Sequence, residues 1–168
     1  MPALSVDDIN QVNAEFHDIG VEAQQLSEYL KGIESPLPAV NSLEHWRHTH
    51  VCGSAVEKIY TGMERIMSNL AKNLDRDPVG KSGDSWHQAL LLRMSNPYPA
   101  VRDRVVSEGT LALLNNLRAF RHRERNSYAT TLDLGIVIER ARDAIAAAGH
   151  LKDEMQPFLN LPAPEQRQ

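Results

Sequence analysis

The chain has 168 residues, 42% of them apolar and 24% charged, with a formal net charge of −4 and a pI near 6.0. That length supports one domain with a substantial core rather than two, and the acidic balance excludes a protein that coats nucleic acid without selectivity, so any RNA contact has to come from a local patch. A single cysteine, Cys52, excludes an internal disulfide framework and suits a reducing compartment.

No run approaches the roughly 20 apolar residues of a membrane span. The start, MPALSVDD, lacks the basic-then-apolar form of a signal peptide. The expected location is cytoplasmic, with no membrane partner. Aromatic residues are sparse, so the core has to be built from Leu, Ile, Val, Ala and Met, with Cys52 as a small buried hydrophobe.

Ser5 followed by Asp7 and Asp8 reads as a helix start. Ile9, Val12, Phe16, Ile19, Leu26 and Leu30 recur at helical spacing to about Lys31, and Gly32 with Ser35-Pro36-Leu37-Pro38 ends the helix. A long second helix is predicted over Ala39 to Leu74, with Val51, Val56, Ile59, Met63, Ile66, Met67 and Leu70 as its buried stripe. Gly53 and Gly62 mark close helix crossings on it. His45, His48 and His50 invite a metal reading, but helical ligands come at i, i+4 with a third ligand elsewhere. His45 and His48 are i, i+3 and no second cluster backs them, so a polar helix face is expected, with no metal and no cofactor.

Asp75 to Gly83 is the clearest internal loop. Its Gly80-Lys81-Ser82 echoes a phosphate-binding loop, but Asp75 stands where that motif's earlier glycine belongs and no strand precedes it. Asp84-Ser85 is predicted to cap a third helix, Trp86 to Met94, with Trp86 as a core anchor and His87 suited to be either a buried neutral histidine or a base. Asn96-Pro97-Tyr98-Pro99 breaks the chain, and Val101 to Val106 is predicted as a helical turn or two. A last helix, capped by Asp133 or Thr131, runs through Ile136, Val137, Ile138, Ala141, Ile145, Ala148 and Leu151 to about Leu159. Residues 1–160 read as a single all-α domain of four main helices with short connections, as antiparallel packing prefers. Residues 161–168, with Pro162 and Pro164, read as a disordered tail.

Between these elements lies the stretch with most chemistry, Leu111 to Asp133. Leu113, Leu114, Leu117 and Phe120 form one apolar seam. Arg118, Arg121 and Arg125 fall along its edge, at about 100° of rotation per residue. Four arginines between 118 and 125 against the single Glu124 invert the sign of an acidic chain. An arginine-rich helix end also suits the macrodipole, and a solvated face would carry the same charges.

The pattern Arg121-His122-x-x-x-Asn126-x-Tyr128 resembles the signature of the HEPN superfamily, most closely its HepT-like branch. There an arginine followed by a polar residue precedes, by four to six positions, a histidine and then x-Tyr. Three further phrases resemble what HepT-like domains carry in the same order: Ile59-Tyr60-Thr61-Gly62-Met63-Glu64-Arg65-Ile66, Gly83-Asp84-Ser85-Trp86-His87 and Phe120-Arg121-His122. The resemblance covers Val51 to Phe158. Where the family's catalytic histidine belongs, this chain has Asn126, an amide that offers a donor and an acceptor but exchanges no proton near neutral pH. The resemblance implies an antiparallel bundle of four to five helices of HEPN type. It also implies a two-fold homodimer whose paired motifs line one cleft, ribonuclease toxin activity, and a small nucleotidyltransferase antitoxin that modifies the motif tyrosine by AMP transfer. Tyr128 holds that position here.

Metal-free RNA cleavage needs a base for the 2′-OH proton, a cation for the phosphorane and an acid for the 5′-oxygen. Arg121 is the natural cation, and Arg118 and Arg125 are suited to position the neighbouring backbone. Within the segment His122 alone titrates near neutrality, and Tyr128 is a proton donor rather than a base. Asn126 lies about 140° round a regular helix from Arg121, so the two diverge unless the helix kinks or frays between them. Three readings stay open: a metal-independent endoribonuclease toxin, a weakened HEPN domain that binds RNA, a nucleotide or its partner enzyme, and a purely structural helical dimer.

Overall fold

Helices in this chain begin where the sequence supplies an acceptor for their free N–H groups. The computed structural model describes residues 3–128 and 131–160. α1 (Val6–Lys31) starts from Ser5, whose hydroxyl accepts from the Asp8 N–H while the Asp8 carboxylate accepts from the Ser5 N–H, a reciprocal capping box. α2 (Leu43–Asn73) starts later than the expected Ala39, because the acceptor for its first turn is the Ser42 hydroxyl, bonded to the His45 N–H. α4 (Glu108–Arg125) and α5 (Leu134–Leu159) start from Ser107 and Asp133 in the same way. The exception is α3 (Trp86–Ser95). The expected cap at Asp84-Ser85 is absent: Ser85 already has helical dihedrals (φ −75°, ψ −17°), whereas a capping side chain needs an extended backbone.

The expected helical turn over Val101–Val106 is also absent. Tyr98 and Arg102 instead form an isolated antiparallel bridge, and the N–H groups of Val105 and Val106 donate to the Met94 carbonyl. The cause is Arg102, which is drawn inward to the Asp75 carboxylate. No strand occurs among the described residues, and the fold is all-α.

Cross-helix hydrogen bonds give the register. Asp8 meets Asn73, Gln11 meets Asn69, Glu15 meets Arg65 and Tyr29 meets His48, so α1 and α2 run antiparallel. Thr110 with Glu154 and Asn116 with Asp143 give the same relation for α4 and α5. Gly62 lets α1 lie on α2, since a Cβ there would sit 2.7 Å from Ile19 Cγ1. Gly53 faces the Glu124 side chain, whose nearest atoms lie 3.5 Å from where a Cβ would be.

α2 is the central element, packed against all four other helices. Its stripe from Val56 through Leu70 is buried against the small side chains Ala141, Ala144, Ala147 and Ala148 of α5 and against Leu114 and Leu117 of α4. Each fully buried Leu, Ile or Met stabilises by about 1.5–3 kcal/mol. Cys52 is buried, and burial pushes its thiol up to about 11. Among the described residues no helix is long and apolar enough to cross a membrane. The segment 161–168, expected to be disordered, lies outside the described residues, as do Ala129 and Thr130.

Candidate functional site

One turn apart on the buried stripe of α2 stand Tyr60 and Glu64. The Glu64 side chain is 4% exposed, and a carboxylate taken that far from water needs compensating partners. It has two. Arg121 Nη1 of α4 donates to Oε2 at 3.1 Å, and Nδ1 of His87, in the first turn of α3, contacts Oε1. Arg121 Nε lies 3.8 Å from Glu57 Oε1, which in turn accepts from Arg125 Nε at 2.8 Å. The Arg121 guanidinium also stands over the Tyr60 ring, 5.9 Å from its centroid. Burial first, and the neighbouring Glu64 charge second, push the Tyr60 phenol far above its ordinary value, so it stays neutral.

Above this network opens a cleft of about 520 Å³. Tyr60 forms its floor on the α2 side, and Asp84 and His87 border it at the start of α3. The end of α4 supplies Arg118, Arg121, His122, Arg125 and Asn126. The Nε–H groups of Arg118 and Arg121 are buried without a hydrogen-bond partner, an uncommon state for buried donors. Both residues border the cleft, and their guanidinium groups make it suited to an anion.

Five of the six site residues expected from the sequence therefore meet here. Arg121 and Asn126 share the cleft despite their angular separation because α4 stops between them. Asn126 is its C-cap, with φ −105° and ψ 7°, and its Nδ2 donates to the His122 carbonyl at 2.7 Å. Tyr128 stands apart, 85% exposed and outside the cleft lining.

Sequence reasoning missed Glu64 and Tyr60 as members of the site, and left His87 undecided. The signal was present: Tyr60 and Glu64 lie in the first of the three quoted phrases, Asp84 and His87 in the second, and Arg121 and His122 in the third. All three phrases converge on this cleft. A second groove, about 340 Å³ between α1 and α2, is lined by Glu15, Arg65, Asn69 and Lys72, and pairs Arg65 with Glu15 at its edge.

The three neighbouring histidines of α2 go separate ways. His45 is buried, His48 Nδ1 is 2.8 Å from the Tyr29 hydroxyl, and His50 packs on the Trp46 ring. Among the described residues no group of three or more His, Cys, Asp or Glu side chains is placed to hold a metal ion. Trp86 is half-buried rather than a full core anchor, with its ring against His87 and Lys81 Nζ over its face.

A family model described as HepT-like protein matches residues 52–161, nearly the span of the resemblance seen in the motifs. No curated protein and no solved structure matches the chain.

Proposed function

Because the chain belongs to the HepT-like protein family of the HEPN superfamily, we propose that it is a metal-independent endoribonuclease of toxin type, held in check by a nucleotidyltransferase antitoxin in the cytoplasm. The observation that carries this reading is the cleft itself. In a chain of net charge −4, three arginines and one histidine from the end of α4 and a second histidine from the start of α3 line one opening. Arg121 is the cation for the phosphorane, with Arg118 and Arg125 gripping the flanking backbone. Residues 1–160 act as one helical domain. Two copies associate about a two-fold axis, so that each motif occurs twice along the RNA path. Tyr128 is the site of AMP transfer, and its exposure suits a residue that another enzyme has to reach.

The direct test is cleavage of RNA by the purified protein in EDTA, with Arg121→Ala alongside. EDTA-resistant cleavage lost in the variant supports the ribonuclease reading, and intact RNA from the wild type rejects it.

One observation favours the second reading, a HEPN domain that binds RNA or its partner without cutting. Asn126 stands where the family has its histidine and spends its amide N–H on the carbonyl of its own helix. Under that reading Asn126→His raises cleavage from a low baseline. A purely structural dimer predicts instead that Arg121→Ala leaves RNA affinity unchanged.

A further inference from the structure

We propose that His87, oriented by the buried carboxylate of Glu64, is the base that takes the 2′-OH proton, replacing the proton-transfer group that Asn126 cannot supply. The proposal rests on the ribonuclease reading of the cleft and adds a residue from a different helix to it.

Three observations lead to it. First, the motif segment is one proton-transfer group short. Asn126 exchanges no proton, Tyr128 lies outside the cleft, and the neutral Tyr60 phenol is a poor base, which leaves His122 alone on α4. Two groups are needed, one to accept a proton and one to give it. Second, His87 is the other imidazole lining the cleft, with its side chain 18% exposed. Its Nδ1 contacts Glu64; an ionised carboxylate only accepts, so in the neutral ring Nδ1 carries the hydrogen and Nε2 is the nitrogen with the lone pair, on a residue that lines the cleft. The Trp86 ring packs on the imidazole at 3.8 Å between centroids and holds its plane. Third, the same carboxylate accepts from Arg121 through its other oxygen. One buried anion therefore fixes both the base and the phosphate-binding cation, and their spacing across the cleft is set by the packing of α2, α3 and α4.

The step balances without an outside reagent. His87 Nε2 takes the 2′-OH proton as O2′ forms a bond to phosphorus. The P–O5′ bond breaks, and protonated His122 gives its proton to O5′. The products are a 2′,3′-cyclic phosphate and a 5′-OH, and the two imidazoles return to their starting states by exchange with water. Glu64 of α2 contacts His87 directly; the titratable and charged groups that line the cleft with it are Tyr60 from α2, Arg118, Arg121, His122 and Arg125 from α4 and Asp84 from the preceding loop, with Lys81 over the neighbouring Trp86 ring.

The test uses the full chain, EDTA and a 5′-labelled oligoribonucleotide, with His87→Ala and His87→Asn. The second variant keeps a donor for Glu64 and so preserves the fold if the first does not. Both should lose about a hundredfold or more in kcat while Kd for the oligonucleotide changes little, and added imidazole should restore part of the rate to His87→Ala. The neutral base governs the acid side of the pH–rate profile, so that limb should vanish in His87→Asn while the alkaline limb, set by His122, stays. A folded His87→Asn with wild-type rate and both limbs would overturn the role of His87 and leave the ribonuclease reading standing. Absence of cleavage by the wild type would overturn both.

Discussion

Arg102 and Arg121 are each held against a buried carboxylate, and they are satisfied in opposite ways. Arg102, with its side chain 2% exposed, meets Asp75 with two parallel bonds of 2.7 and 2.8 Å. Its remaining donors reach the carbonyls of Arg93, Asn96 and Asp103. Nothing is left over. Arg121, 13% exposed, makes a single hydrogen bond among the described residues, to Glu64, and its Nε lies 3.8 Å from Glu57 Oε1, an ion pair too long for a hydrogen bond. The first arrangement is what a structural brace looks like: every donor of a rigid fork used. The second keeps donors in reserve at the edge of a cleft. The contrast separates a charge that holds the fold from one available to a ligand, although both read in the sequence as arginines on an acidic chain.

Removing each arginine tests the contrast. Arg102→Ala leaves the Asp75 carboxylate buried with only Arg93 Nη1, 3.7 Å away, in place of a bidentate partner, and should cost about 3–5 kcal/mol of stability in urea unfolding. RNA affinity of the folded fraction should not change. Arg121→Ala should show the reverse weighting. Glu64 keeps its His87 contact, so the stability loss should be smaller, about 1–3 kcal/mol, while cleavage falls about 10²–10³-fold with the loss of the cation. If Arg121→Ala proved as destabilising as Arg102→Ala and did not alter RNA binding, Arg121 would be a second brace, and the cleft would have no claim to chemistry.

The helices were legible because their signals are local. Ser5 and Asp133 sit beside the runs they cap, and Ile9 to Leu26 or Val56 to Leu70 recur at the helical period. The cluster at the end of α4 was legible for the same reason: Arg118, Arg121, His122 and Arg125 lie within eight residues of one another. What was hidden depends on contacts across the chain. Glu64 and His87 lie 23 residues apart, and Glu64 and Arg121 lie 57 apart. No spacing rule joins them. A trace existed in Glu64, a carboxylate between Met63 and Ile66 on a stripe that is otherwise apolar, which demands a buried partner. Arg102 hid in the same way: Val101 to Val106 has a helix-like mixture of residues, but the pull of Asp75, 27 positions earlier, unwound it.

The smallest effect sharpens the contrast at its exposed end. Arg125 pairs with Glu57 at 2.8 Å but has 56% of its side chain in solvent, so Arg125→Ala should cost less than about 1 kcal/mol. That cost should depend on pH. Burial, and then the neighbouring Glu57, raise the Glu124 carboxyl above its ordinary value, while Arg125 lowers it. A carboxyl raised in the folded state binds more protons there than in the unfolded chain, so its contribution to stability falls as pH rises from the ordinary carboxylate range through the raised folded value. Removing Arg125 raises Glu124 further and widens that window. The deficit of Arg125→Ala against wild type should therefore be largest at neutral pH and shrink as the pH falls and the carboxylates protonate, which urea titrations at several pH values would resolve. In RNA binding the same variant should lower the slope of log K against log salt by about one, the signature of one lost phosphate contact. An unchanged slope would place Arg125 on the structural side with Arg102 and narrow the RNA-binding surface to Arg118 and Arg121.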